Sequence, residues 1–227
     1  MKTINRRLRQ QGCAFIMLAL LSGCSQRFAG INDTVQEAFL GLSDIEISQQ
    51  QLQDLPYAST YVRINDDRRV FMVLAYIEKN QKTGNNQLKW VSNDGGMIVT
   101  EQGRIVKTHK LFAGNLARRS GSVPSWRNNM PWSTLYDWQD DQQYGHVGNL
   151  NMLYLGKETI TTPLWTEQLN HWQENITFPD LDATIYNQYW VNRNGEVLKS
   201  VQYLGPDMAR IEMDILKPYQ EQAEVAQ

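Results

Sequence analysis

The sequence predicts a mainly β fold: a single antiparallel β-sandwich or barrel of about a dozen strands, with short N-terminal helices. Three observations carry that expectation. After Pro56 the chain turns β-branched and aromatic, and several runs alternate apolar with polar residues. Turn signals separate those runs at spacings of roughly 8 to 15 residues. No long helices are interleaved with them, which argues against a parallel sheet.

The first 23 residues stand apart from this body. Lys2, Arg6, Arg7 and Arg9 give four positive charges with no acid, and an apolar run from about Cys13 to Leu21 follows. That run is too short to span a ~30 Å hydrocarbon layer, so the segment reads as a secretory signal. Arg6-Arg7 belongs to the basic region rather than to a twin-arginine signal, because Asn5, Leu8 and Arg9 fit that motif poorly. Leu21-Ser22-Gly23-Cys24 resembles the lipobox of bacterial lipoproteins. Small side chains precede the cut, and the Cys24 thiolate is the nucleophile that takes the lipid. The expected division is therefore 1–23 signal peptide, 24–30 lipidated cysteine and polar spacer, 31–218 globular domain and 219–227 polar tail.

Within the domain, Asp33–Gly41 predicts a brief helix with an acidic first turn and a glycine stop. Ser48-Gln-Gln-Gln51 has capping-box spacing and opens a second, which must end before Pro56. Strands follow at Ser59–Asn65, Arg69–Lys79, Gln87–Ser92, Met97–Gln102 and Arg104–Lys110, with hairpin turns at Gly84-Asn85-Asn86, Asp94-Gly95-Gly96 and Gln102-Gly103. Residues 114–131 read as a long loop. Further strands are expected near Ser133–Gln139, Gly148–Leu155, Glu158–Thr162, Leu169–Phe178, Ala183–Asn192, Val197–Tyr203 and Ala209–Ile215. Asn194-Gly195 is the strongest hairpin signal, since both residues tolerate positive φ.

Composition limits the function. Cys13 lies in the segment to be removed and Cys24 would carry lipid, so no disulfide is available and a hydrophobic core must supply the stability. Loss of the signal moves the formal net charge from −2 to −6 (−2 − 4). A mildly acidic body without a Lys/Arg run is a poor nucleic-acid binder, and its membrane anchor must be the acyl chains.

The mature chain resembles the lipoproteins of group 4 capsule and exopolysaccharide operons, the GfcB/YjbF type. The residues that carry the resemblance are Asp54-Leu-Pro-Tyr-Ala-Ser59 with Tyr61-Val-Arg63, Leu88-Lys-Trp-Val-Ser92 with Asp94-Gly95, and the pattern from Tyr189 to Val197. It extends from about Ile45 to Lys217. It implies a mostly β, lipid-anchored periplasmic domain at the outer membrane that acts beside polysaccharide export proteins. It brings no catalytic motif.

The residues themselves offer no strong enzyme constellation. His109, His146 and His171 lack metal-ligand spacing and read as strand or loop residues. Asp140-Asp141 reads as a solvated turn rather than half of a glycosidase pair, and Asp180 and Asp182 lack the other ligands of a calcium loop. No cofactor or metal is expected. The informative feature is aromatic: Trp126, Trp132, Tyr136 and Trp138 fall within 13 residues, among Arg, Asn, Asp and Gln. Sugars stack apolar C–H faces on such rings and bond amides and carboxylates through their hydroxyls. These four are candidate glycan contacts, against the alternative that they cap the core of a β-domain. Tyr186, Tyr189 and Trp190 are expected in the core. The leading expectation is a non-enzymatic accessory protein of polysaccharide export; the alternatives are a carbohydrate-active enzyme and a scaffold that touches no glycan.

Overall fold

A computed structural model describes residues 47–121, 126, 130–139 and 142–220. The lipobox residues Leu21, Ser22, Gly23 and Cys24, the helix expected over Asp33–Gly41, Asp140, Asp141 and the last seven residues lie outside the described residues. Among the described residues no helix is long and apolar enough to cross a membrane.

The expected helix at Pro56 is present as α1, Gln49–Asp54. The Ser48 hydroxyl accepts from the Gln51 amide, and the Gln51 side chain accepts in return from the Ser48 amide at 3.0 Å. This reciprocal cap satisfies two otherwise orphaned donors. Twelve strands follow: β1 (Ser59–Ile64), β2 (Arg69–Lys79), β3 (Asn86–Val91), β4 (Met97–Glu101), β5 (Arg104–His109), β6 (Leu116–Ser120), β7 (Trp132–Trp138), β8 (His146–Thr161), β9 (Thr166–Phe178), β10 (Ala183–Val191), β11 (Val197–Tyr203) and β12 (Arg210–Lys217). They form one antiparallel sheet in the order β5-β4-β3-β2-β1-β12-β11-β10-β9-β8-β7-β6. Pairing of β1 with β12 joins the two halves, with Val62 opposite Met213.

The two edges of this sheet, β5 and β6, are consecutive in sequence, so the sheet curls into a nearly closed barrel. Side chains bridge the seam: the Leu116 amide donates to the Thr108 hydroxyl at 2.9 Å, and the Leu111 amide to Asn115 Oδ1 at 3.1 Å. From the far wall, Gln202 accepts from the Ile105 amide at 2.9 Å and donates to the Gly103 carbonyl at 3.0 Å. Bulges, such as those at Tyr154/Gly156 and Trp190/Val191, supply curvature that a flat sheet lacks. Between sandwich and barrel, the connectivity selects a barrel.

Two expectations about elements are corrected. Residues 114–131 contain a strand, β6, hidden because Arg118 and Arg119 make it look like a loop; its two arginines pair on opposite faces, with Asp137 and Glu174. Gly148–Leu155 and Glu158–Thr162 are one strand, because Gly156 (φ +116°) adopts a bulge instead of a turn.

All connections after even-numbered strands fall at one end of the barrel, and those after odd-numbered strands at the other. The second end is packed shut. Tyr136, Trp138 and Phe178 stack there, with ring centroids 5.0 to 5.8 Å apart, and the Trp138 indole donates to the Leu204 carbonyl at 2.7 Å. The fit is close enough that a Cβ on Gly205 would stand 2.6 Å from the Trp138 ring. The first end is polar and open.

Candidate functional site

The open end holds a cavity of about 530 Å³, within the ~300–1,000 Å³ range usual for small-ligand sites. Its walls are Leu88 and Trp90 of β3, Thr100 of β4, Ser200 of β11 and Met213 and Ile215 of β12. Its rim is made of hairpin tips: Asn85 and Asn86 between β2 and β3, Gln102 and Gly103 between β4 and β5, and Asn194 to Glu196 between β10 and β11. Trp126, from the β6–β7 connection, completes the lining.

The sequence favours these tips for local reasons. Asn192 Oδ1 accepts from the amides of Asn194 and Glu196, both at 2.9 Å, and Gly195 takes the positive φ (+89°) that the turn requires. The β2–β3 tip is clamped by Glu101, whose carboxylate accepts from Thr83 (2.6 Å), Asn80 (2.8 Å), Gln87 (2.9 Å) and Asn85 (3.2 Å). Burial works to raise the Glu101 pKa, but these four donors override it and hold the carboxyl below its ordinary value. Gln102 donates to Asn85 Oδ1 at 3.2 Å, so the rim amides are ordered before any ligand arrives.

Beyond Trp126 lies a sealed polar chamber. Arg104 Nε donates to Glu174 Oε1 at 2.7 Å and Arg119 Nη2 to Glu174 Oε2 at 3.3 Å, with all three side chains at most 3% exposed. The Tyr189 hydroxyl donates to Glu174 Oε2 at 3.1 Å. The Arg104 guanidinium sits 3.9 Å from the centre of the Trp126 ring, which also leans on Tyr189 at 4.8 Å. Burial pushes the Glu174 pKa up, yet Arg119 and Arg104 outweigh it and keep the carboxyl below its usual range. Burial raises the Tyr189 pKa and takes that of Tyr136 to about 12. Arg104 Nη1, Arg119 Nε and the indole nitrogens of Trp126 and Trp132 are buried without a protein partner. The chamber is therefore rich in donors around a single carboxylate.

The four aromatic candidates separate. Trp126 lines the cavity, though only 7% of it is exposed. Trp132 is half-buried on the inner face, with Arg104 5.6 Å from its ring. Tyr136 and Trp138 lie in the packed end at 2% and 3% exposure. Those two rings cannot stack on a sugar in solution, because both faces already meet core side chains. Tyr186, expected inside, is half-exposed, whereas Tyr189 and Trp190 are buried.

His146 pairs with Asp180 at 2.6 Å, and His171 stacks on Trp190 at 4.3 Å. Among the described residues no cluster of His, Cys, Asp or Glu could hold a metal ion. The rim amides Asn85, Asn86, Gln102 and Asn194 escaped sequence reasoning, which saw them only as turn residues. Their shared end follows from strand parity. Glu174 carried a signal of its own: it is an acid in the inward register Trp172, Glu174, Ile176, Phe178.

The family described as "Group 4 capsule polysaccharide lipoprotein gfcB, YjbF" matches residues 32–216. The chain belongs to that family. It is 31% identical over 211 residues to the lipoprotein GfcB of Escherichia coli (strain K12), covering 89% of this chain and 96% of GfcB. It is 25% identical over 209 residues to the lipoprotein YjbF of the same organism, covering 89% of this chain and 95% of YjbF. The crystal structure of the hypothetical lipoprotein YmcC from Escherichia coli (K12) superposes with a TM-score of 0.68 at 29% identity, covering 87% of this chain and all of that one. Family membership gives the Leu21-Ser22-Gly23-Cys24 motif its context, since the family is one of lipoproteins.

Proposed function

We propose that this protein is a lipid-anchored periplasmic accessory of capsule or exopolysaccharide export, held at the outer membrane through Cys24, and that it holds a saccharide segment of the polymer at the barrel mouth without cleaving it. The observation that carries the reading is the mouth itself: an open cavity with Trp126 in its lining and ordered Asn and Gln side chains on its rim. An aromatic face beside planar amides is the combination that sugar rings and hydroxyls require. Glycoside hydrolysis ordinarily uses two carboxylates across the bond. Among the described residues the cavity lining offers Glu196 alone as a carboxylate, and it accepts from Asn192 Nδ2 at 2.7 Å. Glu174 is behind Trp126, with both oxygens engaged and its proton lost at ordinary pH. That arrangement favours a holding role over the carbohydrate-active enzyme.

The test is a strain lacking the gene, complemented by wild type, Trp126→Ala or Cys24→Ala. Surface and secreted polysaccharide should fall in the null strain while cytoplasmic precursor pools remain, and wild type alone should restore export fully. Cys24→Ala should lose fatty-acid labelling and fractionate away from membranes. Full export by the null strain would contradict the reading.

A further inference from the structure

The outer surface of the barrel is charged on most sides. Lys199 bonds Glu212 and Asp214, each at 2.9 Å, on β11 and β12, and Arg118 pairs with Asp137 at 2.6 Å between β6 and β7. Between these two borders, the outward residues of β7 to β10 toward the shut end carry no charge, whereas Glu158 of β8 and Glu167 of β9 lie on the same face nearer the mouth, with Glu158 accepting from the Trp190 indole at 2.7 Å. Burial alternation fixes which residues face out: on β8, Gly148, Leu150 and Met152 point inward and Val147, Asn149, Asn151 and Leu153 outward.

Cross-strand register arranges the outward residues in rows. Ser133, Asn149, Thr177 and Thr184 form one row across the four strands. Asn151, Asn175 and Tyr186 form the next, and Leu153, Gln173 and Gln188 a third. Neighbours in a row are ~4.8 Å apart and rows ~6.8 Å apart, the spacings of a pleated sheet. The polar groups are partly aligned by their own bonds: Ser133 to Asn149 at 2.8 Å, Gln173 to Asn175 at 2.7 Å and Thr177 with Thr184 at 3.2 Å. Tyr186 stands 52% exposed among them.

We propose that this face of β7 to β10 is a docking track for an uncharged stretch of polysaccharide, separate from the mouth. The inference rests on the reading that the protein contacts polymer. Three features select this occupant. The three rows are neutral and are flanked by the acidic Glu158 and Glu167, so they match a neutral polyhydroxylated chain rather than an acidic polymer or an anionic membrane headgroup. The first two rows are amides and hydroxyls, which both donate and accept as sugar hydroxyls do, with Tyr186 among them; the exposed apolar residues Leu135, Val147 and Leu153 lie to either side. The face exposes none of the Trp, Arg or Met anchors on which protein partners concentrate their binding, since its Trp190 is buried, but it exposes the Tyr186 ring, on which a sugar can stack.

The experiment uses the full lipidated chain in detergent micelles, with immobilised dextran, galactan and mannan as neutral probes and alginate as the acidic one. Asn151→Asp with Asn175→Asp places two charges in the middle row without changing side-chain size, and Tyr186→Ala removes the ring. We expect wild type to be retained by at least one neutral polymer. The double variant and Tyr186→Ala should each weaken that retention about tenfold or more, the loss expected of one stacked ring, while melting temperature stays unchanged. Retention of wild-type affinity by both variants while Trp126→Ala loses it overturns the track and leaves the mouth standing. Failure of wild type to bind any polymer overturns both. Binding to alginate alone, or a change in oligomeric state of the variants without a change in polymer binding, overturns the track as well, the latter by making this face a contact between two copies.

Discussion

Glu174 is the residue on which the barrel interior turns. It is a fully buried carboxylate that two guanidiniums and a tyrosine hydroxyl hold in place. Replacing one partner of a buried pair leaves the others uncompensated, so Glu174→Gln should cost about 3–5 kcal/mol, read by denaturant unfolding. The pH dependence follows from the same contacts. Folding holds the Glu174 pKa below its unfolded value of about 4.3. Below that value the unfolded chain takes up a proton first, so stability present at neutral pH should decline as pH falls toward the folded pKa. Tyr189 and Tyr136 act at the other limit. Their folded pKa values are raised, so above about pH 10 the unfolded chain ionises first and stability should decline there also. Glu174→Gln should flatten the acid limb and weaken the alkaline limb without abolishing it, because burial of the two tyrosines remains after the Glu174 charge is gone. Unfolding free energies measured from pH 3 to 11 check both signs.

Hairpins are the working elements at the mouth, and the Glu101 clamp makes that testable. Glu101→Ala would leave Asn80, Thr83, Asn85 and Gln87 without their shared acceptor. Water can partly replace it at this semi-exposed tip, so the expected cost is about 1–2 kcal/mol, with faster amide exchange confined to residues 80–87. Elements of this kind were legible in the sequence wherever period two and turn chemistry agreed. The Asn194-Gly195 hairpin and the Ser48–Gln51 cap appear where the residues placed them. Legibility failed where one residue served two roles. Arg119 looked like solvated loop charge but points inward to Glu174, and Gly156 looked like a turn but is a bulge within β8. The aromatic run divides for a related reason. Trp126 and Trp132 lie near the mouth chamber and Tyr136 and Trp138 in the packed end, because β7 carries the last three of them along the length of the barrel. Proximity in sequence does not put residues at the same end of a strand.

For the whole molecule, the account is a barrel packed with aromatics at one end and open at the other, with a buried ion cluster behind the open cavity. Closure joins β5 to β6 through side chains rather than a ladder, and Gln202 spans the interior to serve that seam. Rim amides ordered in this way suit the proposed role of holding a flexible polymer. Gly103 lets two walls meet: a Cβ there would stand 2.2 Å from Val197, and its φ is +79°. Gly103→Ala should therefore distort the mouth and lower both the melting temperature and polymer retention, while Gly195→Ala, with open space around it, should affect only the turn. The central claim, that the mouth holds saccharide, is met most directly by adding fragments of the exported polymer to the full-length protein and following side-chain amide and indole resonances. The account predicts shifts at Asn85, Asn86, Gln102, Asn194 and Trp126 that saturate with one affinity, and that affinity should weaken about tenfold in Trp126→Ala, a loss on the scale of one stacked ring. Saturable binding that leaves those five resonances unmoved, with the same affinity in Trp126→Ala, would contradict it.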